Sequence, residues 1–325
     1  MINNNIKLQQ LRHFIVTVET GKVSTASIVL GIAQPALSQS IKNLELTLDA
    51  KLFRRTKAGV LLTEAGTLFY PKIKNIINNL KEAQEDLKSL INEPYGKVKI
   101  FLSPKLASHI CIRLYKIMLL KHPKIELEFE EGFGLRGSNL IENGEIDLGI
   151  LPDWKFNKNI NSKLIISDNL YFYGKKNINN NTNKPIKFND LINYPLILTG
   201  AQVILRQKLI ELSKKLDGKL QIITESNSQA YTQSFINDGL AYSIGPAEAS
   251  YNERKENIFF AREIIEPKIS RSVVISWPKV KTISYAAKIT SENILIILNE
   301  LHQEQILAGN FIYKKTKINF DQERY

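Results

Sequence analysis

Ser24-Thr25-Ala26-Ser27-Ile28-Val29-Leu30-Gly31-Ile32-Ala33-Gln34-Pro35-Ala36-Leu37-Ser38-Gln39-Ser40-Ile41-Lys42-Asn43-Leu44-Glu45 reads as two short helices joined by a tight turn, a helix-turn-helix. Ser24 is placed to cap the first helix and Gly31 to end it in the left-handed conformation. Pro35 opens the second helix, where a missing N–H leaves no hydrogen bond unmade. Leu37, Ile41, Leu44 and Leu48 then recur at spacings of four, three and four, one buried stripe, while Pro35, Ser38, Gln39 and Lys42 fall on the opposite face. That face suits a major groove, with Gln39 reaching base edges and Lys42 a phosphate; Ser24 and Gln34 are counted with it as DNA-contacting candidates. Amphipathic helices with polar outer faces are common, so this stretch alone does not separate a DNA reader from an ordinary solvated surface.

The flanking residues decide. Leu8, Leu11, Phe14, Ile15 and Val18 predict an amphipathic helix before the pair. After it, Leu52 to Thr56 and Val60 to Thr63 read as two strands around Lys57-Ala58-Gly59, a hairpin. The whole is a winged helix-turn-helix, and Arg54, Arg55 and Lys57 near the wing tip are placed to hold the phosphate backbone beside the groove.

These residues resemble the N-terminal domain of LysR-type transcriptional regulators. The likeness runs through Leu11-Arg12-His13-Phe14, Ala26, Leu30, Gln34-Pro35-Ala36-Leu37-Ser38, Ile41, Leu44-Glu45, Leu48, Leu52-Phe53-Arg54-Arg55 and Leu62-Thr63-Glu64-Ala65-Gly66, in the family's order and spacing. There are departures. Ala33 stands where the family usually caps with Ser or Thr, Asp49 replaces the Gly after the recognition helix, and Lys22-Val23 replaces Ser-Phe. A lost side-chain cap costs a helix about 1 kcal/mol, and Asp tolerates the left-handed conformation less well than Gly.

At 325 residues and 43% hydrophobic, the chain is long enough for two or three domains. Its net charge of +12 favours a polyanionic partner, but Lys, Asn and Ile are abundant throughout, so basicity alone is weak evidence. Residues 1–92 hold twelve Lys and Arg against seven Asp and Glu, net +5, which leaves net +7 for the longer remainder. The head is therefore the more basic part per residue. One cysteine, Cys111, allows no internal disulfide and reads as a small apolar residue. No signal peptide opens the chain and no apolar run approaches the roughly 18 residues of a membrane span, so a cytoplasmic protein that contacts no membrane is expected.

Thr63 can cap a long helix from Glu64 whose apolar positions Phe69, Ile73, Ile76, Leu80, Ala83, Leu87 and Leu90 alternate spacings of four and three. A strict two-in-seven stripe is narrower than a globular helix needs, so a dimer coiled coil is favoured over an intramolecular face. Pro71 removes one hydrogen bond early in this helix and is expected to bend it. The resemblance implies a linker helix, at residues 64–92, pairing two heads (1–63) of a homodimer or homotetramer on one double-stranded operator with an inverted repeat.

Asn92 to Gly96 ends the helix, and the pattern changes. Lys97 to Leu102, Ile125 to Glu130 and Asp147 to Leu151 read as strands alternating with helices at Pro104 to Leu120 and Ser138 to Asn143, which predicts an α/β domain with a parallel sheet. The rhythm restarts with strands at Leu164 to Gly174, Leu196 to Thr199, Leu220 to Thr224 and Ala241 to Ile244, and helices at Val203 to Leu216 and Ala230 to Asn237. Asn177 to Lys184 reads as a solvated loop, Ser272 to Ser276 as a late strand and Tyr285 to His302 as a late helix.

This region resembles the family's effector-binding domain, built like a periplasmic binding protein from two lobes. Matching stretches are Gly96 to Ile100, His122 to Leu127, Gly144 to Ile150, Pro195 to Leu198 with Arg206, and Gly239 to Pro246. Glu131 to Gly134 and Pro195 to Arg206 look most like the branch with nitrogen-assimilation and cyanate-responsive regulators. The resemblance implies an effector domain over 93–305, one lobe about 93–163 with 269–305 and the other about 164–268, leaving a tail at 306–325 of no assigned role.

It also implies a ligand between the lobes, at the carboxyl ends of the strands. Ser103-Pro104-Lys105 has the grammar of a helix start, and Thr199-Gly200 follows a strand of the second lobe in the same way. Each alone is commonly just a capped helix; their matching placement points to a small anionic effector held between them, with Phe133-Gly134 a third candidate. Nothing calls for a cofactor. His13, His109, His122 and His302 show no metal-ligand spacing, and no nucleophile elbow, phosphate loop or paired-carboxylate motif appears, so no enzyme is expected. The expected function is operator binding modulated by an effector, the alternative a constitutive or architectural DNA-binding protein with a vestigial ligand domain.

Overall fold

The computed structural model describes residues 6–91, 93–153, 159–176, 184–313, 318 and 320. Asn92, at the expected end of the long helix, and 177–183 of the Asn-rich loop lie outside them. The chain forms two compact units, residues 1–88 and 89–325.

The first unit holds α1 (Leu8–Thr20), α2 (Val23–Leu30), α3 (Gln34–Leu48), strands β1 (Phe53–Thr56) and β2 (Gly59–Leu62), and α4 (Glu64–Ile91). Gly21, Gly31 and Asp49 each end a helix with positive φ, so Asp49 does take the position where the family has Gly. The expected cap shifts: α2 starts at Val23 with Lys22 before it, so Ser24 lies inside the helix and its carbonyl accepts from Ser27 Oγ. Thr63 caps α4 through Oγ1, which accepts from Gly66 N at 3.0 Å. A Cβ on Gly66 would lie 2.2 Å from the Leu52 carbonyl oxygen, so only glycine lets α4 leave the wing this closely. Leu11, Phe14, Ile15, Leu44, Leu52 and Ile73 make the main core, and Ala26, Leu37 and Ile41 a smaller one.

In the second unit β3 (Gly96–Leu102), α5 (Pro104–Lys121), β4 (Ile125–Glu131), α6 (Gly134–Glu142), β5 (Leu148–Asp153) and β6 (Ile160–Asn169) are followed by β7 (Tyr171–Lys175), β8 (Ile186–Lys187), β9 (Leu196–Leu198), α7 (Ile204–Lys215), β10 (Ile222–Glu225), α8 (Gln229–Asn237), β11 (Ser243–Gly245) and α9 (Tyr251–Lys255). Then come β12 (Phe259–Ile265), β13 (Ser270–Pro278), α10 (Tyr285–Gln303) and β14 (Asn310–Phe311). One sheet runs β14-β6-β13-β5-β3-β4, another β11-β7-β12-β8, and β9 pairs β10 in parallel.

The expectation of a parallel sheet holds for β3, β4 and β5, but β13 runs antiparallel to both β5 and β6. The reason is topological: β6 carries the chain out to the second lobe and β13 brings it back. The stretch read as one strand from Leu164 to Gly174 is two, because the chain changes sheets at Leu170; the expected lobe boundary at 164 falls inside β6. Each lobe has its own core, around Ile100, Leu106 and Ile275 in one and Phe172, Leu198 and Phe260 in the other.

A candidate DNA-contacting face and a ligand cleft

On α3 the outward residues Gln34, Pro35, Gln39 and Lys42 are exposed and Ser38 is half-buried; Arg54, Arg55 and Lys57 are exposed on the hairpin. Ser24, Gln34, Ser38, Arg55 and Lys57 share one shallow concavity of about 390 Å³ with Lys22. Its lining includes three cations and no carboxylate. Gln39 Nε2 donates to Asn43 Oδ1 at 2.8 Å, an exposed bond that fixes the amide along the helix.

Sequence reasoning missed what holds this face in place. Glu45 is buried at the end of α3, where Oε1 accepts from Leu52 N at 2.9 Å and Phe53 N at 3.2 Å and Oε2 takes Lys51 Nζ at 2.7 Å. Burial works against its charge, but Lys51 and the two N–H groups outweigh it and lower its pKa. This clamp sets the wing against the recognition helix. His13 Nδ1 lies 2.7 Å from Ser40 Oγ and ties α1 to α3; burial first, then Arg12, lower its pKa, so it stays neutral at pH 7.

The apolar stripe of α4 divides. Ile73, only 5% exposed, belongs to the head's own core with half-buried Phe69, so these two expected dimer positions are already covered within the chain. Ile76, Leu80 and Leu87 are 50%, 41% and 64% exposed, and Ala83 is exposed as well. The side chain of Leu90 lies outside the described residues.

Between the lobes of the second unit is a cleft of about 600 Å³, lined by Ser103, Pro104, Lys105, Phe133, Gly134 and Thr199 among the expected residues. Gly200 is not in the lining; it is buried and its N–H donates to Asn227 Oδ1 at 3.0 Å. Thr199 is not a helix cap either, since Ala201 and Gln202 form a turn and α7 starts at Ile204 after Val203. The start of α7 nevertheless reaches the cleft through Val203, Ile204 and Leu205, as do Phe133 to Arg136 at the start of α6 and Ser228 with Gln229 at the start of α8. Four helix N-termini thus face one cavity, each with a partial positive charge.

Two polar groups at the start of α5 matter there. Ser103 Oγ is buried without a hydrogen bond. Lys105 is half-buried; burial lowers its pKa to about 8, against the pull of Glu248 and Glu253. The floor holds a group the sequence did not disclose, Arg271. Its Nε and Nη2 donate to Asp168 Oδ1 and Oδ2 at 2.8 and 2.9 Å, and Nη2 also contacts Glu248. Burial opposes the guanidinium's charge, but Glu248 and Asp168 hold it protonated and raise its pKa. The remaining wall is mainly apolar, including Leu170, Leu198 and Ile244.

Cys111 is half-buried, and burial with Glu131 pushes its thiol up to about 11, so it is an unreactive thiol. Among the described residues no group of three or more His, Cys, Asp or Glu is placed to hold a metal, and no helix is long and apolar enough to cross a membrane.

The two units match two sequence families. Residues 8–67 match the bacterial regulatory helix-turn-helix proteins of the lysR family, and residues 92–291 the LysR substrate binding domain. The nitrogen assimilation regulatory protein nac of Klebsiella aerogenes is 25% identical over 301 residues, spanning 90% of this chain and 96% of that protein. The transcriptional dual regulator GltC of Bacillus subtilis is 25% identical over 301 residues, 92% of this chain and 100% of its own. Among solved structures, a full-length OxyR variant from Pseudomonas aeruginosa superposes with TM-score 0.69 at 19% identity, covering 90% of this chain and 98% of that one. Full-length CbnR in complex with its target DNA gives TM-score 0.62 at 17% identity, covering 91% and 99%.

Proposed function

The chain belongs to the LysR family of bacterial transcription regulators, oligomeric proteins that bind DNA and an effector ligand, and we propose that it joins two winged heads on an inverted-repeat operator and responds to a small carboxylate-bearing effector in the lobe cleft. As a LysR regulator it is not an enzyme. Nothing supports the constitutive or architectural alternative.

In this reading Gln39 supplies base readout, and Lys42, Arg54, Arg55 and Lys57 hold phosphates. The bound target DNA of CbnR supports placing the head on duplex DNA. Gln39→Ala is expected to relax base preference at one position per half-site by about 1–3 kcal/mol. Arg55→Ala should instead weaken binding to all sequences and make the salt dependence shallower by about one contact. Competition footprints and salt titrations separate the two; equal loss on specific and random DNA for Gln39→Ala would refute its role.

The single observation that carries the ligand reading is the start of α5, where an unpartnered buried Ser103 hydroxyl and the half-buried Lys105 ammonium stand together in a cleft of ligand size. A carboxylate there gains the Lys105 backbone N–H, a hydroxyl and a full charge. The apolar walls favour an organic acid over an inorganic ion. Thermal shift of the full chain with a panel of organic acids, amines and neutral analogues is the test. A ligand at one hundred times its Kd stabilises by about 2.7 kcal/mol, and Ser103→Ala and Lys105→Met should abolish that shift. Acid affinity should hold below pH 8 and fall above it, because Lys105 loses its proton near there. Tightest binding by cations would overturn the reading.

A further inference from the structure

The segment beyond α10 packs on the strand that crosses between the lobes. β14 pairs antiparallel with β6, Asn310 opposite Ser167 and Phe311 opposite Ile166. Ile312 N donates to the Ile165 carbonyl at 2.8 Å, and Tyr313 N reaches the same oxygen at 3.2 Å. Further along, Phe320 meets Trp277 of β13 edge to face at 5.0 Å, and Ile318 is buried. The segment thus touches both strands that lead to and from the second lobe.

Gly309 marks where this contact reaches the cleft. Its φ is +96°, and a Cβ there would lie 2.3 Å from the Ser167 carbonyl oxygen and 2.6 Å from Asp168 Cα. The backbone can therefore lie against Asp168 only at a glycine. Asp168 is the residue whose carboxylate grips Arg271 in the cleft floor, and two residues on, Leu170 pins the crossing itself: its N–H donates to Ile269 O at 2.9 Å and its carbonyl accepts from Ile264 N at 3.1 Å. A chain of direct contacts runs from the C-terminal strand through Asp168 to Arg271.

We propose that residues 309–313 are a latch on the lobe hinge, which fixes Asp168 and through it the Arg271 guanidinium, and so sets the lobe arrangement that a ligand meets. Asp168 and Gly309 are then positioning residues. The latch bears on regulation only if the cleft is the ligand site, but its mechanical part stands without any ligand. A lobe movement twists β6 and β13, and the zipped strand adds hydrogen bonds and packing that must shift with it. Two-state hinges respond to such local contacts.

The test is hydrogen exchange on the full chain without ligand, comparing the parent with Gly309→Val and Ile312→Pro. Gly309→Val pushes a side chain into the Ser167 carbonyl; Ile312→Pro removes the N–H that bonds Ile165 and adds no atoms against Ser167. At least tenfold faster exchange is expected at the amides of 168–171 and 264–271, with Val98 to Leu102 of β3, three strands along the same sheet from β6, unchanged. If only residues 309–313 speed up, the latch is disproved. Should Gly309→Val loosen the whole unit, Ile312→Pro decides by the same criterion. Repeating the organic-acid thermal shifts on Ile312→Pro keeps the two readings apart: no acid bound by the parent defeats the ligand site alone, whereas acids bound equally by parent and variant, with hinge exchange unchanged, defeat the latch alone.

Discussion

Arg271→Met is expected to destabilise residues 89–325 by about 3–5 kcal/mol, the range for breaking a buried ion pair from one side. The Arg271 side chain is 5% exposed and those of Asp168 and Glu248 are 0% exposed, so methionine fills much of the volume and leaves two carboxylates facing each other away from water. Burial already raises the Asp168 pKa against the pull of Arg271. With the guanidinium gone only a backbone hydrogen bond still opposes burial at Asp168, and at least one carboxyl should bind a proton. The sign follows: a folded-state pKa above the unfolded value adds stability at low pH that is lost as pH rises through the folded pKa. The variant's deficit should therefore be smaller at pH 5 than at pH 8. Urea unfolding at the two pH values measures this, and Asp168→Asn in the same chain should recover part of the loss. A deficit under 1 kcal/mol at pH 8 would mean that the cluster is solvated.

How much of this was legible before any coordinates depended on whether the signal was local. The winged head was readable because periodicity, Gly31, Pro35 and Thr63 each act within one helix turn. The start of α5 was readable for the same reason, as a serine followed by proline. Its counterpart is misplaced, since Thr199-Gly200 follows β9 and a turn intervenes before Val203 and Ile204. β12 went unread because Arg262-Glu263 interrupts the apolar run of Phe259 to Ile265, and its pairing with β7, not an alternating pattern, makes it a strand. The floor of the cleft gave no local sign at all. Asp168 lies 103 residues and Glu248 23 residues from Arg271, and a buried charge cluster has no periodicity. Glu45 belongs to the stretch that carries the family likeness, but its partners Leu52 and Phe53 appear only once the wing folds back on α3.

The α4 stripe shows the limit of periodicity, because a heptad reports that a face is covered without reporting by what. Phe69 and Ile73 are covered by the head, while Ile76, Leu80 and Leu87 are not covered within it. A charged pair at Ile76 and Leu80 therefore tests the proposed dimer seam without opening the head's core. Ile76→Glu with Leu80→Glu would place like charges opposite one another across a two-fold axis, where two helices of the same sequence meet in register. The head should keep its fold, and the weak salt-dependent binding of one head to any duplex should persist. Loss of the seam removes the tether that makes binding of the second half-site effectively intramolecular, an advantage of about 10²–10⁴-fold. Affinity for a two-half-site fragment from mapped binding sites should thus fall by at least a hundredfold, to nearly that for one half-site. Gel shift on paired and single half-sites, with sedimentation to follow oligomer mass, measures both. Undiminished preference for the paired site would show that the heads are held together elsewhere and that the exposed stripe serves another contact.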